Sequence, residues 1–166
     1  MYKMVMKITS KDFIHEGNIP QIFTCEGKYL KPDLKRDVSP ELSWSDLPLE
    51  AKSLVMIMHD PDAPYPGGWD HWVLFNIPVS AKGLPQDVAE LPKGTEVGLN
   101  SWKRNDYGGP CPPTGSHRYY FKLYALDVEL QLATGASKEQ VLDAMKGHVK
   151  AEAELMGRYE KVKKAN

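Results

Sequence analysis

The chain has 166 residues, with 21 Lys+Arg against 22 Asp+Glu and a formal net charge of −1. That length suits one domain, residues 1–166, burying about 70% of its unfolded surface without covalent staples. The near-balance of charge argues against a general nucleic-acid or acidic-membrane binder, either of which would show a basic excess.

The N-terminus, Met1 to Ile8, lacks the uninterrupted apolar core of a signal peptide. No run approaches the ~18 apolar residues of a membrane span. The expectation is a soluble, cytoplasmic protein. Residues 4–9 and 20–25 read as short strands, and residues 26–41, polar with Pro and Gly, as a loop. Leu42-Ser43-Trp44 resumes an extended pattern before a turn at Pro48. Ser53 to His59 is a continuous apolar run bounded by turn signals, the pattern of a strand buried on both faces. A Pro-rich loop, Asp60-Pro61-Asp62-Ala63-Pro64, and Tyr65-Pro66-Gly67-Gly68 lead to a second such run, Trp72 to Ile77. Residues 95–102 suggest a further strand.

A second rigid loop, Gly109-Pro110-Cys111-Pro112-Pro113-Thr114-Gly115-Ser116, precedes His117-Arg118-Tyr119. Arg118 to Leu126 alternates: Tyr119, Phe121, Leu123 and Ala125 share one face, and Tyr120, Lys122, Tyr124 and Leu126 the other. Ser137 and Gln140 form a capping box for a helix whose apolar face is Val141, Leu142, Met145 and Val149. From Ala151 to Tyr159 the period becomes alternating; a continued helix is the rival, but Gly147 favours a strand. Thirteen Gly, 13 Pro and this order of elements point to a mainly β fold, a sandwich with a peripheral helix. Two cysteines, Cys25 and Cys111, could pair, but two are too few for a disulfide framework, and both read as free thiols in a reducing compartment.

The chemistry concentrates at the two Pro-rich loops, where proline fixes φ and removes a donor. Asp60 ends a buried strand, which suits either an oriented functional carboxylate or a simple turn initiator. A hairpin-like return from Asp60 would bring His71 beside it. A carboxylate near an imidazole favours the charged ring, which suits a pocket for an anion; the alternative is a half-buried histidine bonded to backbone. His117 and Tyr119, two apart on a strand, supply an imidazole and a phenol on one face, unless Tyr119 is only core and His117 only ends the loop. Arg118 points the other way, as an ion-pair partner. Gly108 and Gly109 can present backbone amides to an anion or merely mark a turn.

His59, His71 and His117 with Asp60 match no standard zinc signature, and His59 and Asp60 face opposite sides of an extended strand, so no metal is expected. No Gly-x-Ser-x-Gly elbow and no phosphate-binding Gly-rich motif with Lys is present. Cys111 reads as packing rather than a nucleophile. No catalytic residue and no cofactor is assigned. Trp44, Trp72 and Trp102 read as core, and Trp69, beside the first loop, as the exception.

In combination, Asp60-Pro61-Asp62-Ala63-Pro64, Trp69-Asp70-His71-Trp72-Val73 and Gly109-Pro110 through His117-Arg118-Tyr119 resemble the phosphatidylethanolamine-binding protein family. The tail from Gly147 to Gly157 resembles its bacterial and archaeal branch, the Raf kinase inhibitor-like proteins. The resemblance implies a β-sandwich-like fold with a large antiparallel sheet. It also implies a small pocket for phosphate or phosphoethanolamine-type groups, made by Asp60, His71, Gly109, Pro110, His117 and Tyr119, with Trp69 and Pro64 nearby. A cis X-Pro bond in the first loop would suit this family's rigid turn. Asp70 adds a second carboxylate that would alter ligand preference. Animal members carry a further C-terminal helix near the pocket, a departure that counts against phospholipid recognition and kinase inhibition here. Prokaryotic members are often dimers, which makes a homodimer one expectation.

The leading expectation is a non-enzymatic binding protein, with Asp60 keeping a histidine oriented and protonated over a small anionic ligand. One alternative is an inhibitor or regulator that engages a protein target, a protease or kinase, through surface loops. Another is a phosphoester hydrolase with Asp60 and His71 as acid and base, for which the sequence shows no convincing nucleophile.

Overall fold

The computed structural model describes residues 4–162. Its strands are β1 (Lys7–Thr9), β2 (Leu42–Ser45), β3 (Ser53–Asp60), β4 (Trp69–Ile77), β5 (Gly83–Leu84), β6 (Glu96–Val97), β7 (His117–Leu126) and β8 (Val149–Tyr159), with helix α1 (Lys138–Met145) before the last strand. They form two antiparallel sheets, a three-stranded one ordered β1-β2-β5 and a five-stranded one ordered β6-β4-β3-β7-β8. The fold is mainly β.

The continuous apolar run of β3 is explained by its position at the centre of the large sheet. Leu54, Met56 and Met58 enter the core between the sheets, with Leu74, Phe121 and Leu123. Val55 and Ile57 enter a second core on the other face, with Val73, Phe75, Val141 and Met145. Helix α1 covers that face. Its capping box is present: Gln140 N donates to Ser137 Oγ (3.1 Å) and Ser137 N donates to Gln140 Oε1 (2.9 Å). Gly147 at φ 81° then turns the chain into β8, so the alternation from Ala151 to Tyr159 is a strand.

Several local expectations are corrected. Residues 20–25 are not a strand. Pro20 caps a 3-10 turn, Gln21–Phe23, in which Phe23 N donates to Pro20 O and Thr24 Oγ1 donates to Gln21 O. In the 95–102 stretch only Glu96–Val97 pair in a sheet, because Asn100 Oδ1 then accepts from both Trp102 N and Arg104 N and closes a turn. No peptide bond among the described residues is cis. The first loop turns instead on Gly67 and Gly68, at φ 78° and 80°. Among the described residues, no helix is long and apolar enough to cross a membrane.

Candidate functional site

The site lies where β3, β4 and β7 end together, on the face toward the inter-sheet core. Alternation along β3 puts Asp60 on the face of Leu54, Met56 and Met58; alternation along β7 puts His117 on that of Tyr119 and Phe121. His71 arrives differently. Met58 pairs with Trp72 but His59 pairs with Asp70, so His71 is the extra residue of a β-bulge. The bulge places His71 and Trp72 consecutively on the core face. The His71 ring lies 5.2 Å from that of Tyr119, and Trp72 lies 5.2 Å from Tyr107.

Asp70 is thereby turned to the opposite face, where its Oδ1 meets His59 Nδ1 at 2.7 Å and Lys138 Nζ at 2.8 Å. Burial opposes its ionisation, but the His59 and Lys138 hydrogen bonds outweigh that and hold its pKa below the usual carboxylate value. Asp70 is therefore not a second carboxylate of the pocket. It ties α1 to the strand that carries His71.

Asp60 does not pair with His71. Its Oδ2 accepts from His117 Nδ1 at 2.7 Å, and its Oδ1 accepts from Asp62 N at 2.7 Å. Because Asp60 holds Nδ1, the free nitrogen of His117 is Nε2. His71 Nδ1 donates to the carbonyl of Gly108 at 2.8 Å, so the proton sits on Nδ1 and Nε2 is free. Burial pushes the His71 pKa below 6.5, against the Gly108 carbonyl and the Asp60 charge. The neutral form of the His71 ring is thereby favoured, and the histidine that Asp60 orients is His117.

Tyr119 completes the group. It is fully buried, and its hydroxyl lies near the Asp60 carboxylate and the Cys111 amide without making a well-aligned hydrogen bond to either. Burial, then the Asp60 charge, raise its pKa far above 10, so it remains a donor. Arg118 points away as expected and forms a two-pronged pair with Asp62, Nε to Oδ2 at 2.9 Å and Nη2 to Oδ1 at 2.8 Å.

These side chains face a cavity of about 390 Å³. Asp60, Pro64, Trp69, His71, Gly109, His117 and Tyr119 all line it; Pro110 does not. The Pro110 carbonyl instead accepts from Cys25 N at 3.1 Å. The glycine amides are also not free: Gly108 N donates to His71 O (3.1 Å) and Gly109 N to Asp37 Oδ2 (2.8 Å). Gly109 is needed for close approach, since a Cβ there would lie 2.5 Å from Phe23 O. Nor are the cysteines free thiols. Cys25 and Cys111 form a disulfide across 86 residues, with Cα atoms 5.5 Å apart, and both line the cavity.

Comparison with known proteins agrees with this fold. The profile of the phosphatidylethanolamine-binding proteins matches residues 9–160. The chain belongs to the phosphatidylethanolamine-binding protein family. A UPF0098 protein of Methanothermobacter thermautotrophicus is 48% identical over 157 residues, covering 93% of this chain and 98% of that one. CT736 of Chlamydia trachomatis, whose crystal structure is described as that of a phosphatidylethanolamine-binding protein homologue, superposes with a TM-score of 0.86 at 43% identity, covering 96% of this chain and all of that one. YbcL of Escherichia coli, described as a member of the mammalian family, gives a TM-score of 0.84 at 30% identity, covering 96% and 100%.

This family member has a cavity richer than sequence reading alone suggested. Trp102 is not core; it lies at the cavity with its ring 5.0 Å from His71 and 5.5 Å from Trp69, and Tyr65 lies 4.7 Å from Trp69. Arg104, its guanidinium 5.2 Å from the Trp102 ring centre and its Nε donating to Asp106 Oδ1 at 3.0 Å, is among the described residues the one lining side chain with a permanent positive charge. Asp37 adds a second carboxylate to the lining, its Oδ2 accepting from Gly109 N. No local motif marks Asp37 or Arg104; a basic residue two beyond a tryptophan, just ahead of the second loop, was the available signal.

Proposed function

We propose that this protein is a non-enzymatic binding protein whose cavity holds a small anionic group of the phosphate or phosphoethanolamine type. The observation that carries this reading is the Tyr119 hydroxyl, buried without a well-aligned partner beside two imidazoles that each keep Nε2 free. An unmet buried donor costs about 1–3 kcal/mol, and a ligand oxygen would recover it. With the Gly108 and Gly109 amides occupied, the donors are side chains. His71 takes part by accepting an acidic O–H from the ligand or by binding a proton itself, so binding is coupled to proton uptake. Arg104 supplies charge at the rim, and the Trp69, Trp102 and Tyr65 rings supply apolar walls.

The His117–Asp60 pair supports a second reading, phosphoester hydrolysis, because a carboxylate-oriented imidazole is how a general base is held. Against it, the lining residues offer no Ser, Thr or Lys, and both cysteines are oxidised. Calorimetric titration with inorganic phosphate and O-phosphorylethanolamine decides the first reading. Saturable heat in the wild type, lost in His71→Gln, is expected; no heat up to millimolar ligand would overturn it. Turnover of a phosphoester panel, lost in Asp60→Asn, would replace binding with hydrolysis.

A further inference from the structure

We infer that the Cys25–Cys111 disulfide is a redox-responsive clasp on the cavity wall, opened by a dithiol reductant, that sets how firmly the cavity holds its anion. The affinity part of this inference rests on the binding reading above; the clasp itself does not.

Both cysteines line the cavity and are half-buried, so a reductant entering from solvent reaches the bridge. The backbone on the upstream side of Cys111 is held without the bridge. Tyr107 Oη donates to Phe23 O at 2.7 Å, Gly109 N to Asp37 Oδ2 at 2.8 Å and Cys25 N to Pro110 O at 3.1 Å. The downstream side is different. Among the described residues no hydrogen bond ties Pro112 through Ser116, and Pro113 to Ser116 are exposed. Two of these residues are prolines with no N–H to offer. The next firm attachments are His117 Nδ1 on Asp60 and Arg118 N on Asp62. The disulfide is therefore the covalent anchor at one end of a wall segment whose other end carries His117 and Tyr119.

Opening is ordinary thiol–disulfide exchange. A thiolate of the dithiol attacks one cysteine sulfur, breaking the S–S bond and forming a mixed disulfide. Its second thiol then displaces that cysteine and closes a cyclic disulfide. The protein gains two electrons and two protons and carries two thiols, while the dithiol is oxidised by the same amount. The upstream hydrogen bonds keep the fold, but Pro112–Ser116 becomes a longer free loop that ligand binding must order again.

The test compares oxidised protein, dithiothreitol-reduced protein with two titratable thiols, and the Cys25→Ser/Cys111→Ser double variant. Amide relaxation gives order parameters for Thr114, Gly115 and Ser116; titration with inorganic phosphate gives affinity. The expected result is a folded reduced chain with lower order parameters in that segment and about tenfold weaker phosphate binding. Reoxidation should restore both, and the double variant should match the reduced chain and ignore the dithiol. Unchanged order and affinity after verified reduction, two free thiols in air-oxidised protein, or loss of the whole fold on reduction would each overturn the clasp. If oxidised protein binds no phosphate, the binding reading fails, and the order parameters still decide the clasp.

Discussion

Replacing Tyr119 with phenylalanine should make the protein more stable and a poorer binder at once. The ring is fully buried and packs edge-on against His71 at 5.2 Å, and phenylalanine keeps that contact. What disappears is a buried hydroxyl without a well-aligned partner. Such a group costs about 1–3 kcal/mol, so the variant should gain about 1 kcal/mol, or about 2–4 °C in Tm for a chain of this size. The same hydroxyl in the occupied site donates to an anion, a hydrogen bond worth about 1.5–3 kcal/mol, so phosphate affinity should fall about 10- to 100-fold. Urea denaturation of ligand-free protein reads the first effect and calorimetric titration the second. A destabilised Tyr119→Phe protein would show that the hydroxyl is already satisfied without ligand. Unchanged phosphate affinity would show that it does not meet the ligand. Either result refutes the reasoning.

The depressed pKa of His71 predicts a pH dependence of stability. The unfolded ring takes up a proton near pH 6.5 before the folded ring does, so His71 lowers stability as pH falls below about 6.5 and contributes no slope above it; denaturation curves of wild type and His71→Gln between about pH 5 and pH 8 should diverge only on the acid side. Asp62 is held at about pKa 2 by its hydrogen bonds from Arg118. In Arg118→Met its carboxyl resonance should titrate close to the ordinary 3.8, and an unchanged titration would mean that the pair does not persist in solution. Gly109→Ala sets a Cβ 2.5 Å from the Phe23 carbonyl, a backbone atom that does not swing aside. A loss of about 1–3 kcal/mol in chemical denaturation is expected, and a neutral result would show that the loop is not seated on Phe23.

Much of the frame is legible along the chain. A strand buried on both faces must be a continuous apolar run, and Ser53–His59 reads that way because β3 has strands on either side and packed cores above and below. The capping box at Ser137 and the alternation after Gly147 are local signals and describe local structure. Asp60, His117 and Tyr119 converge because each obeys its strand's period.

His71 does not obey it. Strict alternation back from Trp72 would send His71 to the helix face and Asp70 to the pocket. The bulge reverses both, and a bulge depends on register with a partner strand, which no single segment encodes. The same applies to the partner of Asp60: both histidines are plausible from spacing, and only the meeting of β3 with β7 selects His117. The Cys25–Cys111 bridge and the Gly109–Asp37 hydrogen bond span 86 and 72 residues, so each becomes visible only when the loops are packed together. The run at 20–25 misled for a local reason, since its apolar spacing suits a strand while Pro20 sets up a tight turn.

The central claim is that the free imidazole nitrogens and the Tyr119 hydroxyl receive a small anion. Nitrogen-15 spectra of the histidine rings, recorded during titration with inorganic phosphate, test it most directly. Saturable shifts are expected at Nε2 of His71 and His117, with Nδ1 of each still hydrogen-bonded to Gly108 O and Asp60 Oδ2 respectively. Those shifts should weaken in Tyr119→Phe. Rings of His71 and His117 that stay silent up to millimolar phosphate, while only His15 and His148 on the surface respond, would contradict it.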